Sequence, residues 1–233
     1  MFDKRLRPSV EQRLHPVGAN LERSGVTADH LTLIGVVMAI GAAIAIGNGA
    51  LRLGFVLLLL TAVPDVLDGA VAKASGTATP RGAFFDSVAD RVSDALLLLG
   101  VAWYLENNHP GHIALLPMAV LAMSMLISYE RAKAESLGFD ARGGLMERAE
   151  RLIALSVGLL FEGLLVAVLW VMLVLTTFTA VQRFVRVWSQ ASTTRTHAAH
   201  TRWRYPRVAR NSERSRMRRE RWAAAREARR RAR

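Results

Sequence analysis

The sequence has no cysteine among its 233 residues. That absence excludes disulfide frameworks, thiolate nucleophiles and zinc or iron–sulfur sites built on cysteine. Acidic residues are scarce as well: 19 Asp and Glu stand against 31 Lys and Arg, for a net charge of +12. Residues 1–30 lack the uninterrupted apolar core of a secretory signal peptide, so no cleaved signal is expected. Three long stretches, Leu31–Gly47, Ile113–Tyr129 and Gly163–Gln182, lack charge altogether. With 52% of the chain apolar, the composition fits neither a disordered chain nor an ordinary soluble domain.

The basic excess is confined to one end. Between Ser189 and Arg233 there are 15 Arg and three Glu, a net +12, which leaves 16 basic and 16 acidic residues in the rest of the chain. The sequence therefore divides into a neutral apolar body and an Arg-rich tail over 189–233. The tail has no sustained apolar stripe and is expected to be disordered or loosely helical. A solubilising or membrane-surface tail is the preferred reading, since arginine at this density suits anionic headgroups. Trp203, Tyr205 and Trp222 interleave with the arginines, as in some nucleic-acid binders, but interfacial aromatics explain them equally. Nucleic acid is not the expected partner.

Each uncharged run has about the length needed to cross a bilayer core. Three shorter apolar runs, Leu53–Pro64, Ala95–Leu105 and Leu152–Phe161, reach that length only by extending into charged segments. Together they predict an all-α membrane protein with six transmembrane helices. The basic residues of the N-terminal arm, the second–third loop, the fourth–fifth loop and the tail then fall on one side, with only Arg52 opposite. That places both termini in the cytoplasm. The expected organisation is an interfacial amphipathic arm over 1–24, a six-helix body over 25–188 and the tail. The turn around Glu162, between the fifth and sixth helices, is very short.

Carboxylates lie at the cytoplasmic ends of two of these helices. Asp65 and Asp68 are three residues apart near the end of the second, and Asp86, Asp90 and Asp94 follow at intervals of four near the start of the third. Each set shares one helix face, and a loop of about nine residues lets the faces meet. Such a cluster at membrane depth must be relieved by protonation or by divalent cations. Oxygen donors suit Mg²⁺ or Mn²⁺, and a pair of ions would serve phosphoryl chemistry. A proton relay in an ion-coupled transporter fits the aspartates equally well.

The spacing is more specific. Asp65-Val-Leu-Asp68-Gly69-Ala-Val-Ala72-Lys73, followed by Gly82-Ala-Phe-Phe-Asp86-Ser-Val-Ala-Asp90, resembles the signature of the CDP-alcohol phosphotransferases. Lys73 stands where that family has arginine, which keeps the charge but loses the fork geometry. The resemblance covers the body, not the tail. It implies that Asp65, Asp68, Asp86 and Asp90 bind metal, and that Asp90 also takes the proton from the acceptor hydroxyl. The acceptor oxygen would then attack the β-phosphorus of a CDP-linked lipid and release CMP. Gly69, Ala72 and Gly82 leave room for the nucleotide, Lys73 and Thr79 lie within reach of the diphosphate, and Ala28-Asp29-His30-Leu31 resembles the segment bordering the donor site. Asp94 matches no motif position and reads as a structural partner for nearby basic groups.

Basic residues at the cytoplasmic helix ends bear on the acceptor. Ser128-Tyr-Glu-Arg131-Ala-Lys133-Ala-Glu135, Glu147-Arg-Ala-Glu150-Arg151-Leu and Val-Gln-Arg183 resemble a subgroup of that family, the phosphatidylinositol-phosphate synthases of actinobacteria, with Ala149 where that subgroup usually has proline. The resemblance implies that Arg131, Arg151 and Arg183 hold the phosphate of inositol 1-phosphate, with CDP-diacylglycerol as donor, a homodimeric assembly and a place in the bacterial inner membrane. Glycerol 3-phosphate, the acceptor of phosphatidylglycerophosphate synthases, is the alternative. His109 and His112 fall on the opposite side and read as surface residues. Gly35, Ala39 and Ala43 would permit close helix packing, internal or between subunits.

Overall fold

Helix α1, Ala28–Gly47, starts at a reciprocal cap. The Thr27 hydroxyl accepts from the His30 backbone N–H, and His30 Nδ1 accepts from the Thr27 N–H. These bonds satisfy donors that the first helical turn would otherwise leave open. The helix ends at Asn48, whose side chain donates to the Ile44 carbonyl, and Gly49 takes φ +81° in the turn that follows.

The computed structural model describes the backbone of residues 27–74 and 79–202, and the side chains of residues 27–62 and 79–193. Five further α-helices follow α1: α2, Leu51–Ala74; α3, Pro80–Asn108; α4, Leu115–Ser136; α5, Arg148–Leu160; and α6, Leu165–Arg202. All regular structure among the described residues is helical. The chain divides into two units, Met1–Phe184 and Val185–Arg233, and the carboxylates and arginines of interest belong to the first. The arm over 1–24 lies outside the described residues. Helical structure continues past Ser189 to Arg202, further than the tail's composition suggests, and residues 203–233 lie outside the description.

Among the described residues, α1, α4 and the segment Glu162–Thr193 are long and apolar enough to cross a membrane. The charged ends of α3 keep that helix out of that class, and the described side chains of α2 cover only its apolar first half, Leu51–Ala62. Helix α2 runs on through Pro64, a lost N–H that membrane helices tolerate. Helix α5 has 13 residues, about 20 Å of rise at 1.5 Å per residue, short of a bilayer core. It stops at Phe161, and the 3₁₀ turn Glu162–Leu164 leads directly into α6.

The core holds Ile46, Leu58, Leu97, Leu105, Leu159 and Leu169, each at most 2% exposed. Outward positions are also apolar. Val37 and Ile44 on α1, Leu59 on α2, Leu99 on α3, Leu126 on α4, Val157 on α5 and Phe178 on α6 are all exposed. In water such surfaces would be a liability; against lipid they are the expected covering. Small residues bring helices together inside. A Cβ on Gly100 would lie 2.6 Å from the Ala43 carbonyl oxygen, so α1 and α3 cross with their backbones in contact. Gly35, Ala39 and Ala42 are buried on the same helix. At the opposite end, Tyr104 donates a hydrogen bond to Glu162, and the His109 ring meets Tyr104 edge-on.

Candidate active site

Thr79 caps α3: its hydroxyl accepts from the Gly82 N–H at 3.0 Å, and Pro80 occupies the first turn, where a missing N–H costs nothing. The helix thus starts two residues before Gly82, and its connection to α2 is shorter than the sequence spacing suggests. A Cβ on Gly82 would stand 3.3 Å from the Thr79 hydroxyl and 3.6 Å from Asp29 Oδ1. The first turns of α1 and α3 therefore lie side by side. Asp29, Thr79 and Gly82, all expected to border the donor, come together there.

Asp86 and Asp90 follow one and two turns further along α3, both half-buried on one face. They offer only hard oxygen donors, the chemistry that Mg²⁺ or Mn²⁺ takes. The side chains of Asp65, Asp68, Gly69, Ala72 and Lys73 lie outside the described residues, so only this half of the expected carboxylate set is visible. Among the described residues no group of three or more potential metal ligands is assembled.

The arginines at the start of α5 reach this face of α3. Arg148 Nη1 lies 2.9 Å from Asp90 Oδ1, and its Nε lies 3.5 Å from Asp94 Oδ1. Arg151 Nη2 lies 2.6 Å from Asp94 Oδ2, and its Nη1 donates to the Met146 carbonyl. Arg91 stands 3.9 Å from Asp90 Oδ2. Asp94 and Arg151 are each 5% exposed, so their ion pair is removed from water. Asp94 is therefore the partner of basic groups that its off-motif position suggests.

Arg183, 3% exposed, ties three elements together. It donates to the Ile127 carbonyl of α4 at 2.9 Å and to the Gly143 carbonyl at 3.3 Å, and it pairs with Glu147 at 3.4 Å. Glu147 also accepts from the Gly143 N–H. The α4–α5 connection, which needs positive φ at Gly138 and Gly143, is fastened again where the Met146 N–H donates to Thr179 of α6. Arg131 is exposed and pairs with Glu135 one turn along α4. The structure thus gathers Arg151 and Arg183 around the start of α5, each engaged by protein partners, while Arg131 sits on the surface of α4.

Arg148 and Glu147 were not singled out for the site by the sequence. The signal available was their place beside Arg151: Arg148 precedes it by three residues and shares its helix face. What brings Arg148 to Asp90 is the placement of the start of α5 within side-chain reach of α3, which no local pattern encodes.

Comparison with known proteins gives this arrangement a context. Residues 25–182 match the family model described as CDP-alcohol phosphatidyltransferase. The chain is 34% identical to an archaetidylinositol phosphate synthase of Methanothermobacter thermautotrophicus, over 79% of this chain and 93% of that one. It is 36% identical to a phosphatidylinositol phosphate synthase of Mycobacteroides abscessus, over 76% and 84% of the two chains. The fold is similar to crystal structures of the Mycobacterium tuberculosis phosphatidylinositol phosphate synthase. With manganese and citrate bound, the TM-score is 0.71 at 30% identity, covering 75% of this chain and 88% of that one. With CDP-DAG bound, it is 0.70 at 31%, covering 75% and 93%. A motif of aspartates at the right spacing, a helical apolar body and a family match over more than half its length lead to one conclusion: this chain belongs to the CDP-alcohol phosphatidyltransferase family.

Proposed function

We propose that the protein transfers the phosphatidyl group of CDP-diacylglycerol to inositol 1-phosphate, giving phosphatidylinositol phosphate and CMP. The observation that carries this reading is the reach of arginines from the start of α5 to the aspartate face of α3, with Arg148 beside Asp90 and Arg151 beside Asp94. An acceptor that is itself a phosphate ester needs cationic partners next to the reacting centre. Relatives named for inositol phosphate products support the same acceptor.

Asp65, Asp68, Asp86 and Asp90 would hold the divalent cations, Mg²⁺ or Mn²⁺ and two per site, whose chemistry is to neutralise the diphosphate and position it for displacement. Asp90 accepts the proton of the acceptor hydroxyl. The acceptor oxygen forms a bond to the β-phosphorus, and the bond from that phosphorus to the bridging oxygen breaks, so CMP departs with that oxygen. Asp29, Thr79 and Gly82 line the approach of the donor, and the bare Gly82 backbone admits it closely. Lys73 would face the diphosphate with a point charge in place of the family's fork. Arg151 and Arg183, with Arg131 at the rim, supply the positive field for the acceptor phosphate.

The same reading places six helices in the bacterial inner membrane, with both termini and the active site cytoplasmic, and assembles the protein as a homodimer. The shortness of α5 is accommodated if its charged start sits at the interface. The decisive assay is CMP release by purified protein in detergent, with CDP-diacylglycerol, Mg²⁺ and inositol 1-phosphate, glycerol 3-phosphate, free inositol or no acceptor. Release with inositol 1-phosphate alone is expected. Release only with glycerol 3-phosphate would keep the chemistry and replace the acceptor. Asp90→Asn should lower turnover about 10²–10⁴-fold, the usual share of a general base, while CDP-diacylglycerol still binds.

A further inference from the structure

The catalytic reading counts Arg148 among the cations near the aspartates but gives it no role of its own, although its guanidinium makes the closest ion pair to Asp90 among the described residues. Its Nη1 engages Asp90 and its Nε faces Asp94, one helical turn further along α3. Asp94 is itself fixed from the other side by Arg151. The order of attachment runs outward from the core: buried Arg151 holds buried Asp94, Asp94 pairs with Arg148, and Arg148 pairs with Asp90. A guanidinium suits this task because its rigid fork can bridge two carboxylates on residues whose Cβ atoms stand about 5–6 Å apart, which a lysine ammonium cannot do with fixed orientation. Its charge is permanent, so the guanidinium side of the contact does not titrate.

Two consequences follow for Asp90. One carboxylate oxygen is committed to Arg148, which restricts the rotation of the group, while the other lies 3.9 Å from Arg91. A fixed positive charge also stands beside any cation that Asp90 binds, and like charges at that separation in a partly desolvated site repel strongly. We propose that Arg148 is a positioning residue for Asp90: anchored by Asp94, it sets the orientation of that carboxylate and moderates the affinity of the site for divalent cations. This rests on the reading of Asp90 as metal ligand and base.

The test is Mn²⁺ binding to purified protein in detergent without substrates, measured by titration of the free-ion electron paramagnetic resonance signal and compared with steady-state CMP release. Arg148→Gln removes the repelling charge, so Mn²⁺ should bind about tenfold or more tightly while kcat falls about tenfold or more. Arg148→Lys keeps the charge and loses the fork. It should bind Mn²⁺ within about threefold of the parent and still lose most of its kcat, with KM for CDP-diacylglycerol little changed. An arginine that served only to hold α5 in place would show weaker Mn²⁺ binding and a lower melting temperature together. That pattern in Arg148→Gln, or unchanged affinity, would overturn the proposal. If Arg148→Gln does not fold, parental kcat in Arg148→Lys would overturn it instead. Parent protein that binds no Mn²⁺ would overturn the metal reading itself, an outcome distinct from failure of Arg148 alone.

Discussion

Replacing Asp94 by asparagine keeps the shape of the side chain and removes one charge from a pair in which both partners are 5% exposed. Arg151 would then carry an uncompensated charge inside the helix bundle, 2.6 Å from a neutral amide in place of a carboxylate. Breaking a buried pair by removing one partner costs about 3–5 kcal/mol. Asparagine still accepts one hydrogen bond, which sets the expectation at the lower end, about 3 kcal/mol. For a chain of this size each kcal/mol moves the melting temperature by about 2–4 °C, so the fall should be about 6–12 °C. Thermal unfolding in detergent, followed by intrinsic fluorescence, reads this directly, since Trp103 and Trp170 lie on α3 and α6. Arg151→Gln should cost a similar amount, and the double variant should be less damaged than the sum by about 1–3 kcal/mol, because the second change removes the stranded charge. A fall below about 2 °C in Asp94→Asn, or strict additivity in the double variant, would refute the idea that this pair locks α5 to α3.

Three further outcomes are expected. Gly100→Ala should lose about 1–2 kcal/mol, because overpacking against the Ala43 backbone outweighs the gain in helix propensity; Gly41→Ala, whose Cβ would meet only Leu57 at 3.6 Å, should be neutral or slightly stabilising, and melting curves of the two would expose an error in the α1–α3 crossing. Tyr104→Phe removes the bond to Glu162 at the opposite end of the bundle and should cost about 1 kcal/mol in thermal stability without altering CMP release, since it lies far along α3 from Asp90. Chelation with EDTA should abolish CMP release and Mn²⁺ or Mg²⁺ should restore it; activity that survives exhaustive chelation would remove the divalent cation from the reaction.

The helical body was legible because charge is excluded from segments of the right length, and the positions of α1, α4 and α6 follow from that pattern alone. Helices α2 and α3 were legible only as apolar runs extended into charged ends. The carboxylates at those ends were read as chemistry through their three- and four-residue intervals. The connection before α3 is shorter than the expected loop of about nine residues, because Thr79 and Pro80 start the helix ahead of the motif glycine. The arginine set was legible by type but not by engagement. Nothing local tells that Arg183 spends its donors on the Ile127 and Gly143 carbonyls, or that Arg148 turns to Asp90. Those contacts depend on how α5 and α6 lie against α3 and α4, and sequence periodicity specifies a helix face without naming its neighbour.

The meeting of the first turns of α1 and α3, with the start of α5 reaching Asp90, has a consequence for the field at that end of the bundle. Each helix start carries the equivalent of about half a positive charge, although Thr27 and Thr79 already cap amides of α1 and α3. Asp29 stands in the first turn of α1 and Asp90 beside the first turn of α5, where a negative charge gains about 0.3–1 kcal/mol per favourable placement. The backbone therefore carries part of the task of holding several carboxylates close together. That polarity belongs to the fold's alternating direction rather than to any side chain, so it persists through every substitution described above.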